Sequence, residues 1–221
     1  MAQSTPIWFN GIEVMRFRFV VCASLSLILN TIVSAEGLVD GSIEAGQAKA
    51  VLCGACHGPS GNSVNPAWPS IAGQHAPYTV HQLQAFKSGA RANILMTGQA
   101  MMLSDEDILN LAVYYEAQTP AAKSVADPKS ISKGEALYRG GNKESEASAC
   151  LACHGPHGNG NPAAKYPAIS GQYAQYTAQQ LRDYASGTRK SDAPTRVMRD
   201  IAARLSEEEI LAVASYVQGL H

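Results

Sequence analysis

Charge is the first thing this 221-residue chain has little of. Charged residues make up 16%, against roughly 25% in an average soluble protein. With 46% apolar residues, a disordered or acidic-tail protein is excluded. Seventeen Lys and Arg against eighteen Asp and Glu leave a net charge of −1, so no broad nucleic-acid footprint exists. Five cysteines are too few for a disulfide scaffold of this length. Alternating β-branched runs are also scarce, which removes the usual signature of half-buried strands. No Gly-rich phosphate loop and no nucleophile beside a general base stands out.

Long apolar runs are nearly absent too. The exception is Phe19 to Ala35, preceded by Arg16 and Arg18 and closing on Val33-Ser34-Ala35. Seventeen residues fall short of the roughly 20 of a spanning helix, and Ser, Asn and Thr stud the run. Basic flank, short apolar core and small-residue end describe a secretory signal peptide over residues 1–35, with an uncleaved anchor helix as the alternative. Met15 is a second candidate start. Cys22 lies inside the run behind Val20-Val21, a poor lipoprotein context. The expected mature chain is exported and holds four cysteines.

That chain repeats itself. Pro69–Arg91 aligns without a gap to Pro167–Arg189, with twelve of twenty-three positions identical. Gly73-Gln74 matches Gly171-Gln172, Gln82-Leu83 matches Gln180-Leu181, and Leu103-Ser104 matches Leu205-Ser206. Two copies this long are tandem domains rather than solenoid units. The expected boundaries are 36–118 and 129–221, with 119–128 as a Pro- and Ala-containing linker. Each unit reads as all-α. First helices are expected from about Ser42 to Leu52 and from Pro128 to Tyr138, the latter capped by Asp127. Middle helices run from Pro77 or Tyr176 to Gly89 or Gly187. Last helices begin at Ser104 and Ser206, where Ser206-Glu-Glu-Glu209 has the capping-box form and Ser104-Asp-Glu-Asp107 approaches it.

The four mature cysteines all belong to Cys53-Gly-Ala-Cys56-His57 and Cys150-Leu-Ala-Cys153-His154. C-x-x-C-H is the c-type haem attachment pattern. Two thiols three positions apart can add to the two vinyl groups of one haem, and the next residue then lies under the iron as proximal imidazole. Covalent attachment gives a domain of under 100 residues a large apolar centre it otherwise lacks. A thioredoxin-like pair needs neither the histidine nor a second copy. A four-cysteine zinc site has its pairs some 15–20 residues apart, whereas these start 97 apart. Two haem c groups are therefore expected on Cys53, Cys56, Cys150 and Cys153, with His57 and His154 as axial ligands.

The repeat also points to the sixth ligands. Met198 is the single methionine after the second motif and stands seven residues before Leu205-Ser206. Of Met96, Met101 and Met102, only Met96 stands seven before Leu103-Ser104. Met96 and Met198 are the candidates, and Met101 and Met102 read as loop or packing residues. His75, His81, His157 and His221 have no matching twins and read as surface or loop histidines, which argues against bis-His ligation. Pro69 and Pro167 follow His57 and His154 by twelve and thirteen residues. A carbonyl from that loop commonly takes the other nitrogen of the proximal histidine. A plain loop proline reads equally well.

With these residues in view, the chain resembles the cytochrome c4 family. Val51-Leu-Cys-Gly-Ala-Cys-His-Gly58, Pro69-x-Ile-Ala-Gly-Gln74, Met96-Thr-Gly98, Leu103-Ser-Asp105 and the ending Ser215-Tyr-Val-Gln-Gly-Leu-His221 carry the likeness over nearly all of the mature chain. The resemblance implies two tandem mitochondrial-type cytochrome c domains with one haem each. It implies a periplasmic carrier, soluble or loosely membrane-associated, between a respiratory donor such as a bc1-type complex and a terminal oxidase of the cytochrome c oxidase type.

An iron with protein ligands on both faces exchanges electrons and has no position for substrate, so electron transfer rather than catalysis is expected. An electron-entry subunit of a membrane oxidase or reductase complex and a dihaem peroxidase-like enzyme are the alternatives. Charge divides unevenly. Residues 36–120 carry three basic and seven acidic groups, net −4, and residues 121–221 carry twelve and ten, net +2. Such a dipole can orient a carrier toward a partner, although ordinary solvated faces explain it equally well. Positive surroundings disfavour the ferric state, so the C-terminal haem is expected at the higher potential.

Overall fold

The computed structural model describes residues 37–221 and the isolated positions 1 and 3. The rest of the expected export segment, Cys22 included, lies outside them. Ser42 opens the first helix, α1 (Ile43–Ala50), its hydroxyl accepting from the Ala45 N–H at 3.2 Å. A single turn, α2 (Gly54–His57), follows. Next come α3 (Ala76–Ser88), which has Pro77 in its first turn, and α4 (Ile94–Met101). The first copy closes with α5 (Asp105–Glu116). In the second copy a 3₁₀ turn, Pro128–Ser130, leads into α6 (Ile131–Gly140), then α7 (Leu151–His154), α8 (Ala174–Ala185), α9 (Val197–Ala202) and α10 (Glu207–Gln218). Among the described residues there is no strand, only isolated bridges, in keeping with the all-α expectation.

Both expected capping boxes form. The Ser104 hydroxyl accepts from Asp107 N–H at 3.0 Å while the Asp107 carboxylate takes Ser104 N–H at 2.9 Å. Ser206 and Glu209 do the same at 3.3 and 2.8 Å. These reciprocal bonds satisfy donors that the helix itself leaves free. Asp127 does cap, accepting from Lys129 N–H, but what it caps is the 3₁₀ turn, and α6 begins only at Ile131. The α4 and α9 helices fall between the expected middle and last helices, where the sequence named none. Asn93 starts α4 by accepting from Met96 N–H at 3.0 Å.

In each copy the first helix crosses the last. The crossing is a glycine contact: a Cβ at Gly46 would lie 2.1 Å from Asn110 O, and one at Gly134 would lie 2.3 Å from Ala212 O. Without side chains there, the backbones approach closely enough to bury Leu111 and Tyr115 in one copy and Tyr138, Val213 and Val217 in the other. Cys53 packs on the first of these clusters and Cys150 on the second. The cysteine turns are thereby anchored to the helix crossing.

The two copies meet through the residues that the repeat holds identical. Gln74 Nε2 donates to Ala168 O at 2.8 Å and Gln74 Oε1 accepts from Ala168 N at 3.0 Å. Its twin Gln172 makes the same pair of bonds with Ser70, at 2.7 and 3.0 Å. Arg91 reaches Tyr176 and Gln180, both at 2.7 Å, and Arg189 reaches Tyr78 and Gln82, both at 2.8 Å. Both guanidiniums are buried and meet only neutral acceptors. Burial alone would push the Tyr176 phenol up, but the charges of Arg91 and Arg189 outweigh it and draw it below the ordinary tyrosine value. Such charge-assisted bonds are the stronger class of hydrogen bond, so the copies form one body joined about a pseudo-two-fold. Lys123, between them in sequence, donates to Gly171 O at 2.7 Å and ties the connecting segment to the same seam.

Candidate cofactor centres

Each cysteine pair sits on a one-turn helix. Cys53 and Cys150 precede α2 and α7 in right-handed helical conformation, φ −67° and −62°. Residues three apart on a helix share a face, so the two thiols of each pair emerge together and the following histidine turns inward. None of these four cysteines is paired in a disulfide. Burial pushes the Cys53 thiol up, and Cys150 up to about 11. No group of three or more His, Cys, Asp or Glu that could hold a metal ion occurs among the described residues, which leaves a zinc cluster without support there.

His57 and His154 are buried, 7% and 8% exposed. The first histidine's Nδ1 lies 2.9 Å from Pro69 O and the second's 3.0 Å from Pro167 O. A carbonyl only accepts, so Nδ1 carries the proton in both rings and Nε2 keeps its lone pair. Burial pulls both imidazoles below the ordinary histidine value, outweighing the proline carbonyls that pull the other way. The loop prolines, ambiguous from sequence, are thus the orienting partners.

Met96 stands in the first turn of α4 and Met198 in that of α9, both half-buried. Met101 and Met102 are 61% and 64% exposed. Tyr115, packed with Cys53 in one cluster, has a buried hydroxyl with no hydrogen-bond partner. A cysteine pair at one-turn spacing, an imidazole with Nε2 available and a half-buried thioether in each copy form a donor set that fits haem c. His157 and His221 are exposed, as expected. His75 and His81 are half-buried instead, and His75 Nε2–H donates to Asn159 O across the domain boundary at 2.6 Å. Its position at the seam between copies, invisible in one chain's pattern, is the reason. Sequence reasoning also read Gln74, Gln172, Arg91 and Arg189 as marks of duplication only. Their identity in both copies was the available signal that they face one another.

Two tandem helical units, each with its Cys-x-x-Cys-His turn, define a dihaem c-type cytochrome. The family model described as "Cytochrome c" matches residues 43–117 and 131–221. The chain is 43% identical over 208 residues to cytochrome c4 of Azotobacter vinelandii, covering 90% of this chain and 99% of that protein. It is 51% identical over 182 residues to cytochrome c4 of Thiocapsa roseopersicina, covering 81% and 93%. The crystal structure of reduced recombinant cytochrome c4 from Pseudomonas stutzeri matches with a TM-score of 0.80 at 43% identity, covering 82% of this chain and 100% of that one. The chain belongs to the cytochrome c4 family. It is a dihaem electron carrier with two covalently bound haem c groups, on Cys53 and Cys56 and on Cys150 and Cys153.

Proposed function

We propose that both irons are closed, by His57 and Met96 in the first domain and by His154 and Met198 in the second. The chain then works as a periplasmic carrier between a respiratory donor of the bc1-complex type and a terminal oxidase or other periplasmic acceptor. When bound, each haem supplies a one-electron couple, and Met/His ligation raises its potential. The protein's part is to hold the ligands so that little reorganises on electron exchange. The carrying observation is the matched histidine geometry: each Nδ1–H is tied to a proline carbonyl, which fixes the ring and leaves Nε2 for iron. The half-buried methionines Met96 and Met198, one in each copy, supply the opposite ligand. Export rests on residues 1–35. Among the described residues no helix is long and apolar enough to cross a membrane.

The deciding experiment adds carbon monoxide to the reduced, haem-loaded protein and reads the visible spectrum. An unchanged spectrum supports two closed irons and a pure carrier. A shift in about half of the haem, as one open iron of two would give, overturns this reading in favour of a peroxidase-like enzyme.

A further inference from the structure

The loop that orients each histidine is held from both sides. In the first domain Pro69 O receives His57 Nδ1–H, and the N–H groups of Ile71 and Ala72 both donate to Gly61 O. Between them, the two backbone polar groups of Ser70 find their partners only in the other domain, on the side-chain amide of Gln172. The second domain repeats this. Pro167 O receives His154 Nδ1–H, Ile169 and Ser170 donate to Gly158 O, and Ala168 N–H and C=O are both taken by Gln74. Each amide is itself braced, since Gln74 Oε1 also accepts from His75 N–H and Gln172 Oε1 from Tyr173 N–H, both at 3.0 Å.

We propose that Gln74 and Gln172 are positioning residues that act across the domain boundary, each domain clamping the residue that follows the proline whose carbonyl orients the other domain's histidine. The clamped N–H of Ser70 or Ala168 shares its peptide group with the preceding proline carbonyl, and the C=O belongs to the next peptide, so one rigid amide pins two successive peptides and the proline carbonyl stays aimed at Nδ1. A strong Nδ1–H···O bond makes the imidazole a better donor to iron, which favours the ferric state. Removing a clamp therefore raises the potential of the haem in the opposite domain. The crossing is what separates this role from ordinary interface stability, which would move both haems or neither.

This inference rests on the His/Met ligation proposed above. The test uses the haem-loaded full chain with Gln74→Met and Gln172→Met, near-isosteric changes that remove both bonds. Gln74→Glu and Gln172→Glu serve if the methionine forms load poorly, since a carboxylate keeps the acceptor and loses the donor. Potentiometric waves are assigned with Met96→His and Met198→His. The expected result is crossed. In Q74M the ferric-to-ferrous ratio at fixed potential falls at least about twofold for the second haem and holds for the first, and Q172M does the reverse. In ¹⁵N-edited spectra the His154 Nδ1–H exchanges faster in Q74M and that of His57 in Q172M. Tyr173→Phe, which removes the bond to Ser63 O across the same seam, moves neither wave. Shifts in the clamp's own domain, equal shifts in both, no shift, or the same shifts in Y173F each overturn the proposal. Carbon monoxide binding by the unmutated protein would instead bring down the ligation reading beneath it.

Discussion

The crossing of α6 over α10 can be tested with one methyl group. Replacing Gly by Ala inside a helix ordinarily stabilises by about 0.5–1 kcal/mol, because glycine loses more backbone freedom on folding. At Gly134 the added Cβ would lie 2.3 Å from Ala212 O, 2.9 Å from Ala212 C and 2.7 Å from Tyr216 Cβ. Two of those atoms are backbone and the third is fixed to it, so no side-chain rotation relieves the clash. Relief requires the helices to part by about 1 Å before ordinary contact distances return. Tyr138, Val213 and Val217, all buried against this crossing, then lose contacts. Overpacking of a filled core costs about 1–3 kcal/mol, and the unyielding backbone puts Gly134→Ala at the upper end. After the helix-propensity gain, a net loss of about 2 kcal/mol remains. Gly140 closes the same helix with nothing within 4 Å of its would-be Cβ, so Gly140→Ala is neutral or stabilising. Guanidinium unfolding of the two haem-loaded variants, followed by far-ultraviolet circular dichroism and by haem absorbance, compares them within one helix. Because Cys150 and Leu151 pack on this cluster, the haem signal of the second domain should move with the helix signal in G134A. A G134A protein as stable as the parent, or a G140A protein equally weakened, would refute the argument.

Three further outcomes are expected. If the charge difference between residues 36–120 and 121–221 sets the order of potentials, Met198→His removes the higher-potential wave and Met96→His the lower; the opposite assignment defeats the electrostatic account. The Glu209 carboxylate accepts from Ser206 N–H and from Asn142, which holds it below the ordinary carboxylate range. A group lowered in the folded state adds stability above its unfolded value and loses it as pH falls through the folded one. The parent should therefore lose stability below about pH 5 more steeply than Glu209→Gln, and parallel curves in acid denaturation would contradict this. Ser104→Ala removes the hydroxyl that accepts from Asp107 N–H, and a loss of about 1 kcal/mol in the first domain's unfolding is expected; no change in the denaturant midpoint would count against the cap.

How much of this was legible in the sequence follows from what each element uses as its signal. The last helices announced themselves because a capping box is local: Ser104 with Asp107, and Ser206 with Glu209, are written within four residues. The cysteine turns were legible because attachment fixes both residue type and spacing. α4 and α9 were not. Arg196, which precedes α9, has left-handed backbone, φ 60°, and no side-chain cap. In α4 the apolar residues Ile94, Leu95 and Met101 are exposed, as is Met102 just after it, which inverts the pattern from which a helix is ordinarily read. The proline carbonyls were half legible, since their distance from the histidine suits the bond but equally suits any loop.

The interface was written twice and still could not be read. Gln74 and Gln172, Tyr78 and Tyr176, Gln82 and Gln180, and Arg91 and Arg189 are identical pairs, and duplication alone accounts for identity. Only the structure shows that each member binds its twin's neighbourhood, so that one residue serves its own fold and the other copy's contact together. Positions meeting across a pseudo-two-fold are constrained from both sides, whereas positions facing water are free to differ. Charge differs accordingly, acidic in the first half and basic in the second. A symmetric seam keeps the two histidine loops in matched mechanical surroundings, so on the electrostatic account proposed here any difference in potential between the haems comes from the asymmetric exterior. Neutralising acidic groups of the first domain, for instance Glu106→Gln with Asp105→Asn, should therefore narrow the gap between the two waves without disturbing the seam. If the gap instead stays fixed, the difference in potential is not set by these surface charges.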